Sequence, residues 1–248
     1  MISIIIPFYN EKENLPILYE EISSVFAALK YEYEIIFVDD GSTDGSDVKS
    51  QISDIRQEKR TKIIILKHRK RFGKGEALST GLLHAKGEII IFMDGDLQDN
   101  PKDIPLFIDK VQEGYDFVNG VRVDRKDNVI IKTYSKIARI FLNIFLHSPF
   151  TDINCGFKAF KKEVLEDVVL YGNNFRFFPL AAFYKGYKAT EIPIQNRARK
   201  FGKTKFGASK LITGIFDTVT AHFLYRFAEK PLHFFGTWGM LFFGAGFM

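Results

Sequence analysis

The chain has 248 residues, enough for one substantial hydrophobic core or a core with a small appendage. With 46% hydrophobic and 26% charged residues and no low-complexity tract, its composition excludes a mainly disordered protein. The 35 basic against 30 acidic residues leave a net charge of +5, which suits phosphate-bearing ligands or an anionic bilayer without singling out either.

In chain order, short β-branched runs predict strands at Ser3–Ile6, Glu34–Val38, Lys62–Leu66, Glu88–Met93 and Asp116–Asn119. Helical patterns fall between and after them at Lys12–Leu29, Asp47–Glu58, Lys74–Ala85 and Lys102–Glu113. This alternation predicts an α/β fold with a doubly wound, mostly parallel sheet. The strands are nearly continuous apolar runs, as expected when helices cover both faces. Further along, Val129–Leu146 and Asn173–Tyr184 read as helices, and Gly156–Phe160 and Lys188–Ile192 as short strands. A basic loop, Asn196–Phe206, follows. Then Ile212, Ile215, Phe216, Val219, Phe223 and Phe227 recur at helical spacing. That helix fits either a membrane surface or the domain's own core.

From Leu232 to Met248 there is no Asp, Glu, Lys or Arg. The run reads as the start of a transmembrane segment, shorter than the roughly 20 residues a span needs; a buried C-terminal core helix is the alternative. The N-terminal apolar run stops at Pro7, too short for a signal peptide. The single cysteine, Cys155, rules out an intramolecular disulfide and suits a reducing compartment. The expected organisation is a catalytic domain at 1–206, an amphipathic helix at 207–230 and a truncated membrane segment at 231–248.

Three polar clusters follow predicted strands: Pro7-Phe8-Tyr9-Asn10-Glu11, Asp39-Asp40-Gly41-Ser42-Thr43-Asp44-Gly45 and Asp94-Gly95-Asp96-Leu97-Gln98. In a parallel sheet all three open at the carboxyl edge, where such folds bind ligands. The paired carboxylates Asp94 and Asp96, ending an apolar strand, are costly unless a cation or solvent compensates them. Mg²⁺ or Mn²⁺ takes such oxygen ligands and bridges them to substrate phosphates, whereas a plain Asp-Gly turn is the structural alternative. A carboxylate in the second cluster suits hydrogen bonding to a base N–H or a ribose hydroxyl.

In this order and position the three clusters resemble the family 2 inverting glycosyltransferases of the nucleotide-diphospho-sugar-transferase (GT-A) fold. More narrowly they look like the dolichyl- and polyprenyl-phosphate sugar synthases, from Ile2 to about Phe206. The resemblance implies that Pro7, Tyr9 and Glu11 line the nucleotide pocket and that Asp39 or Asp40 reads the base. It places Asp94 and Gly95 at the donor, with Asp94, Asp96 and Gln98 as ligands of a Mg²⁺ or Mn²⁺ ion. Arg122 matches the family's arginine after strand five, placed to meet phosphates as a catalytic group, and Asp152 opens its Asp-x-x-x-Gly-Phe element as a base or an orienting group. Arg199-Lys200-Phe201-Gly202-Lys203-Thr204-Lys205 matches its basic loop, with Arg199 and Lys205 toward donor phosphates and Thr204 in place of the usual Ser.

The partners so implied are a nucleotide-sugar donor, uracil being the preferred base, a polyprenyl-phosphate acceptor and a membrane. No nucleic acid is expected, since basic residues are not interleaved with a recognised motif, and a homo-oligomer is left open. Basic residues in Arg197–Lys210, with Arg226 and Lys230, flank the apolar tail on its N-terminal side, which places the catalytic domain on the cytoplasmic face of the inner membrane. Tyr134, Ser135 and Arg139 are further acceptor-side candidates, while Lys67–Arg71 reads as a solvated loop. A saccharide- or glycolipid-hydroxyl acceptor is the nearest alternative, and a nucleotide-sugar-binding scaffold the non-enzymatic one.

Overall fold

The computed structural model describes residues 1–45, 61–123, 148–168, 174–199 and 209–246. The helices expected at Asp47–Glu58 and Val129–Leu146, the acceptor candidates Tyr134, Ser135 and Arg139, and Lys205 with the rest of the basic loop after Arg199 lie outside these residues. The chain forms two compact units, Met1–Asp127 with Phe150–Thr204, and Asn128–Pro149 with Lys205–Met248.

The first unit is built on a seven-stranded sheet of order β3-β2-β1-β4-β6-β5-β7. Its strands are β1 (Ile2–Phe8), β2 (Tyr33–Asp39), β3 (Thr61–Lys67), β4 (Ile89–Phe92), β5 (Phe117–Val123), β6 (Lys158–Lys161) and β7 (Ala189–Gln195). Four pairings are parallel and the two made by β6 are antiparallel, so the mostly parallel expectation holds with one reversed strand. β1 and β2 are buried along their full length, which explains their lack of polar alternation.

The two-residue period of β1 divides its side chains between helices. Ile2, Ile4 and Ile6 join a core cluster with Leu15, Leu18 and Ile22 of α1 (Asn14–Leu29) and with Phe107 and Ile108 of α3 (Ile104–Gln112). Ile5 turns to α2 (Lys74–Leu82), where a Cβ on Gly81 would stand 2.4 Å from the Ile5 Cγ2 methyl. That helix packs this closely because position 81 has no side chain. The expected helix at Lys102–Glu113 is a 3₁₀ turn, Pro101–Asp103, followed by α3. The Asn100 side chain caps the turn by accepting from Lys102 N at 3.2 Å, and proline fixes its first position. α4 (Val164–Asp167) is a single turn, and the Asn173–Tyr184 pattern resolves into a 3₁₀ turn, Asn174–Phe177, and α5 (Phe178–Tyr184).

The second unit contains α6 (Ser209–Phe227) and α7 (Pro231–Gly246). Phe223 and Phe227 of α6 meet Phe234 of α7 at ring-centroid distances of 5.3 and 5.4 Å, whereas Phe216 and Val219 are exposed. The apolar period of α6 therefore divides between a helix–helix contact and an open face. α7 exposes Leu232, Met240, Phe242 and Phe243, and buries no residue. At about 1.5 Å per residue its 16 residues reach about 24 Å, short of a hydrocarbon core about 30 Å thick. No described helix is long and apolar enough to cross a membrane, and α7 lies within the 231–248 segment expected to begin a span.

One packing constraint can be tested directly. Gly87 precedes β4 and donates its N–H to Ser3 Oγ at 2.8 Å, and a Cβ there would lie 2.5 Å from Ser3 N. Gly87→Ala is expected to lower stability by about 1–3 kcal/mol. In urea unfolding this appears as a lower midpoint with an unchanged slope.

A carboxylate-lined cleft as candidate active site

β1 has β2 on one side and β4 on the other, so the chain reverses its winding across β1. Loops leaving such a switch point diverge and leave a crevice at the carboxyl edge. The β1 and β2 loops are stitched together there. Asn10, at φ 56°, donates its N–H to Ser42 Oγ (2.9 Å) and accepts from Thr43 N at Oδ1 (2.8 Å). Left-handed backbone of this kind is tolerated by Asn better than by most residues.

The cleft is open to solvent and has a cavity volume of about 150 Å³. Of the residues expected at the donor or ion, Pro7, Tyr9, Glu11, Asp40, Asp94, Gly95 and Asp96 line it. Phe8, Arg71 and Lys74 complete the wall. The Lys67–Arg71 run is exposed apart from half-buried His68, as expected of a solvated loop, and the Arg71 guanidinium lies 4.3 Å from the Tyr9 ring centre. The loop is held in place by Asp40, which accepts from Phe72 N and Gly73 N, each at 2.8 Å. His68 Nδ1 stands 3.0 Å from Asp40 Oδ1, and its Nε2 stands 2.9 Å from Thr80 Oγ1. Gly73, at φ 106°, permits the turn from which α2 and Lys74 start. Asp39 sits lower, accepting from Ser42 N at 2.7 Å, with Lys67 at 3.6 Å. Both second-cluster aspartates therefore organise backbone.

Negative charge concentrates after β4. Asp94 is ion-paired with Lys74, and Asp96 with Arg199 at 2.5 Å. Arg199 also lies 3.8 Å from Glu11. Asp96 is shifted up by burial first and by Asp94 second, against the pull of Arg199 and the Gln98 N–H. Asp99, which the sequence reading passed over, is buried and pushed up to about 7 by desolvation and by the charges of Asp94 and Asp96. Its carboxylate accepts from Asp94 N at 3.2 Å. Gln98 donates its N–H to Asp96 Oδ1 (3.1 Å), accepts from Arg197 N at its carbonyl (2.8 Å), and is not among the cleft-lining residues.

This set fits a hard divalent cation. Three neighbouring carboxylates raise one another's affinity for positive charge, and their donor atoms are all oxygen. Among the described residues no three His, Cys, Asp or Glu side chains form a group that could hold a metal ion by themselves.

The Asp152 loop backs onto this cluster. A Cβ at Gly156 would stand 2.6 Å from Asp94 Oδ2, so the glycine of the Asp-x-x-x-Gly-Phe element leaves room for the Asp94 carboxylate. Asp152 itself does not line the cleft but pairs with Arg122, which donates from Nε to Oδ2 (2.8 Å) and from Nη2 to Oδ1 (2.9 Å). Burial works to lower the Arg122 pKa, but the hydrogen bonds and charge of Asp152 outweigh it and the net shift is upward. Lys158 on β6, also missed from sequence, is buried beneath the loop. A lysine is read as a surface residue by default, and nothing in its local pattern marks it otherwise.

The fold and cleft are those of a nucleotide-sugar-transferase type of α/β protein, and the comparisons with known proteins agree. The chain belongs to glycosyl transferase family 2 ("Glycosyl transferase family 2"), which matches residues 3–169. It is 31% identical over 246 residues to an undecaprenyl-phosphate 4-deoxy-4-formamido-L-arabinose transferase of Enterobacter sp. (strain 638), covering 99% of this chain and 73% of that one. It is 33% identical over 219 residues to the transferase of the same name from Yersinia enterocolitica, covering 88% of this chain and 66% of the relative. Among solved structures, Mycobacterium tuberculosis glucosyl-3-phosphoglycerate synthase, in complex with Mn²⁺, UDP-glucose and glycerol 3-phosphate, superposes with a TM-score of 0.65 at 20% identity. That alignment covers 91% of this chain and 79% of the other, a likeness of fold.

The Arg122–Asp152 fork gives a stability test. Arg122→Met removes both fork hydrogen bonds from the Asp152 carboxylate, 10% exposed, and is expected to cost about 2–3 kcal/mol in urea unfolding. Arg122→Lys restores charge without the fork and recovers only part of that loss.

Proposed function

We propose that this protein transfers a sugar from a nucleotide-diphosphate donor, a uridine diphosphate sugar by preference, to polyprenyl phosphate at the cytoplasmic face of a membrane. Transfer proceeds with inversion and requires Mg²⁺ or Mn²⁺. The observation that carries the reading is the Asp94–Asp96 pair facing a cleft that also presents Arg71 and Lys74. Carboxylates for an ion and cations for phosphates thus meet at one edge of the sheet. The undecaprenyl-phosphate relatives support the acceptor, and the Mn²⁺ and UDP-glucose of the mycobacterial neighbour support the donor and ion.

Asp94 and Asp96 would hold the ion, which when bound supplies Lewis-acid stabilisation to the departing diphosphate. Lys74 and Arg199, now paired with those carboxylates, are placed to follow the charge onto donor phosphates. Arg71 on Tyr9 forms a flat cationic platform at the nucleotide end of the cleft. The state of Asp152 favours a phosphate acceptor over a hydroxyl. With both oxygens held by Arg122, it is a poor proton acceptor. A phosphate monoester, whose second pKa is about 6, arrives ionised and needs no base. The exposed apolar surface of α7 supports work against a bilayer.

The test is a transfer assay on membrane-reconstituted protein with polyprenyl phosphate, Mn²⁺ or Mg²⁺ and a panel of labelled nucleotide sugars. Label is expected to enter the organic-solvent phase from one donor. Asp96→Asn is expected to reduce that transfer by about a hundredfold or more. Donor binding with no lipid label would overturn the phosphate acceptor and direct the search to saccharide hydroxyls.

A further inference from the structure

Beneath the Asp152 loop, Lys158 is only 2% exposed yet carries an ammonium group. It donates to Asn119 Oδ1 (2.7 Å), Ile153 O (3.2 Å) and Cys155 O (2.5 Å). Three acceptors meet the three N–H bonds of a protonated amine. A neutral amine has two N–H bonds and would turn its lone pair toward one of those oxygens. Among the described residues no carboxylate lies within hydrogen-bonding distance of this cation. Asp152 acts on it through space and is already held by Arg122, while Lys74 and Arg122 repel it. The Cys155 thiol lies close by, and burial pushes its pKa up to about 12. A buried cation without a direct counter-ion is costly, so the position is explained by what the charge holds.

It holds the 151–157 loop. Asn119, gripped at its oxygen by Lys158, donates from Nδ2 to Asp152 O and to Glu191 Oε1, each at 3.0 Å. Glu191 in turn accepts from Thr151 N (2.8 Å) and Asp152 N (3.3 Å). The backbone at 151, 152, 153 and 155 is thus tied to one cation, directly or through Asn119 and Glu191. The same loop carries Asp152, clamped to Arg122, and Gly156, against which Asp94 rests.

We propose that Lys158 is a positioning residue for the transfer reaction: its buried ammonium holds the 151–157 loop, and with it the Asp152–Arg122 pair and the seat of Asp94. The catalytic consequence rests on the sugar-transfer reading, whereas the hold on the loop does not. Burial lowers the Lys158 pKa to about 8, with Cys155 and then Asp152 working against that shift and Lys74 and Arg122 adding to it. The hold therefore weakens above that pH. From about 8 to the ordinary lysine value near 10.4 the unfolded chain binds more protons than the folded one, so this group's contribution to global stability rises with pH. Loosening of the loop in that window is local and opposite in sign to a global melt.

The experiment follows hydrogen exchange in peptides spanning 150–157 on the full chain, corrected for the intrinsic rate, from about pH 6.5 to about pH 9.5. Wild type, Lys158→Met and Lys158→Arg are compared, with transfer kinetics in parallel. Wild type is expected to lose protection by about tenfold as pH passes 8, Lys158→Arg to keep it, and Lys158→Met to lack it throughout. Lys158→Met is expected to lower kcat by about tenfold or more with the donor KM within about twofold, and Lys158→Arg to move the alkaline limb of the rate profile upward. Protection that does not change with pH in the wild type overturns the proposal, and this arm needs no variant to fold. Normal kcat in Lys158→Met despite lost protection overturns the positioning role. Lost protection in a wild type that transfers no sugar instead overturns the functional reading and leaves the hold on the loop standing.

Discussion

Negative charge packed after β4 is the constraint around which the rest of the unit is arranged. Asp94, Asp96 and Asp99 lie within six residues, Asp96 and Asp99 are buried, and burial with mutual repulsion raises the pKa of both. Carboxylates in such a place are tolerated only with cations at hand. Lys74 arrives from the start of α2, and Arg199 from the irregular segment after β7. Those cations come from segments 74 and 199, far apart in the chain, so the charge cluster ties distant parts of the fold together. The same excess makes the site receptive to a divalent ion and to phosphates that would take over the displaced cations.

The scaffold supplies position, and its order follows from winding. Because β1 is flanked by β2 and β4, the loops after these strands separate and leave a crevice. Asn10, Asp39 and Asp40 spend their side chains on backbone groups of neighbouring loops, which keeps the crevice walls fixed. Gly156 and Gly81 act by absence: a methyl at either would collide, with the Asp94 carboxylate in one case and the Ile5 side chain in the other. On the far side, antiparallel β6 inserts Lys158 below the loop that carries Asp152. The acidic cluster and the Arg122–Asp152 pair are therefore neighbours through the backbone of one loop.

Much of this was legible from residues alone, for a physical reason. The strand runs, the glycines that end them and the Asp-x-Asp pair are local signals, because a buried parallel strand and a carboxylate turn are each specified by adjacent residues. The three clusters lie at the carboxyl ends of β1, β2 and β4, and Pro7, Tyr9, Glu11, Asp40, Asp94, Gly95 and Asp96 do line one cleft. The pairing of Arg122 with Asp152 was not legible, because it joins residues 30 positions apart and changes Asp152 from a free carboxylate into a clamped one.

The sequence by itself determined the strand–helix alternation, the family to which the chain belongs and the carboxylates at the end of β4, since each depends on near neighbours along the chain. Tertiary structure decided which cations meet those carboxylates, that the exposed Arg71 lies over Tyr9, and that Lys158 is a buried ammonium rather than a surface charge. It also decided how the apolar face of α6 divides, with Phe223 and Phe227 on Phe234 and with Phe216 exposed. Charge and burial are properties of the assembled surroundings. A Lys or an Asp has the same local pattern whether water or three carbonyl oxygens will surround it, and only the packed sheet chooses between them.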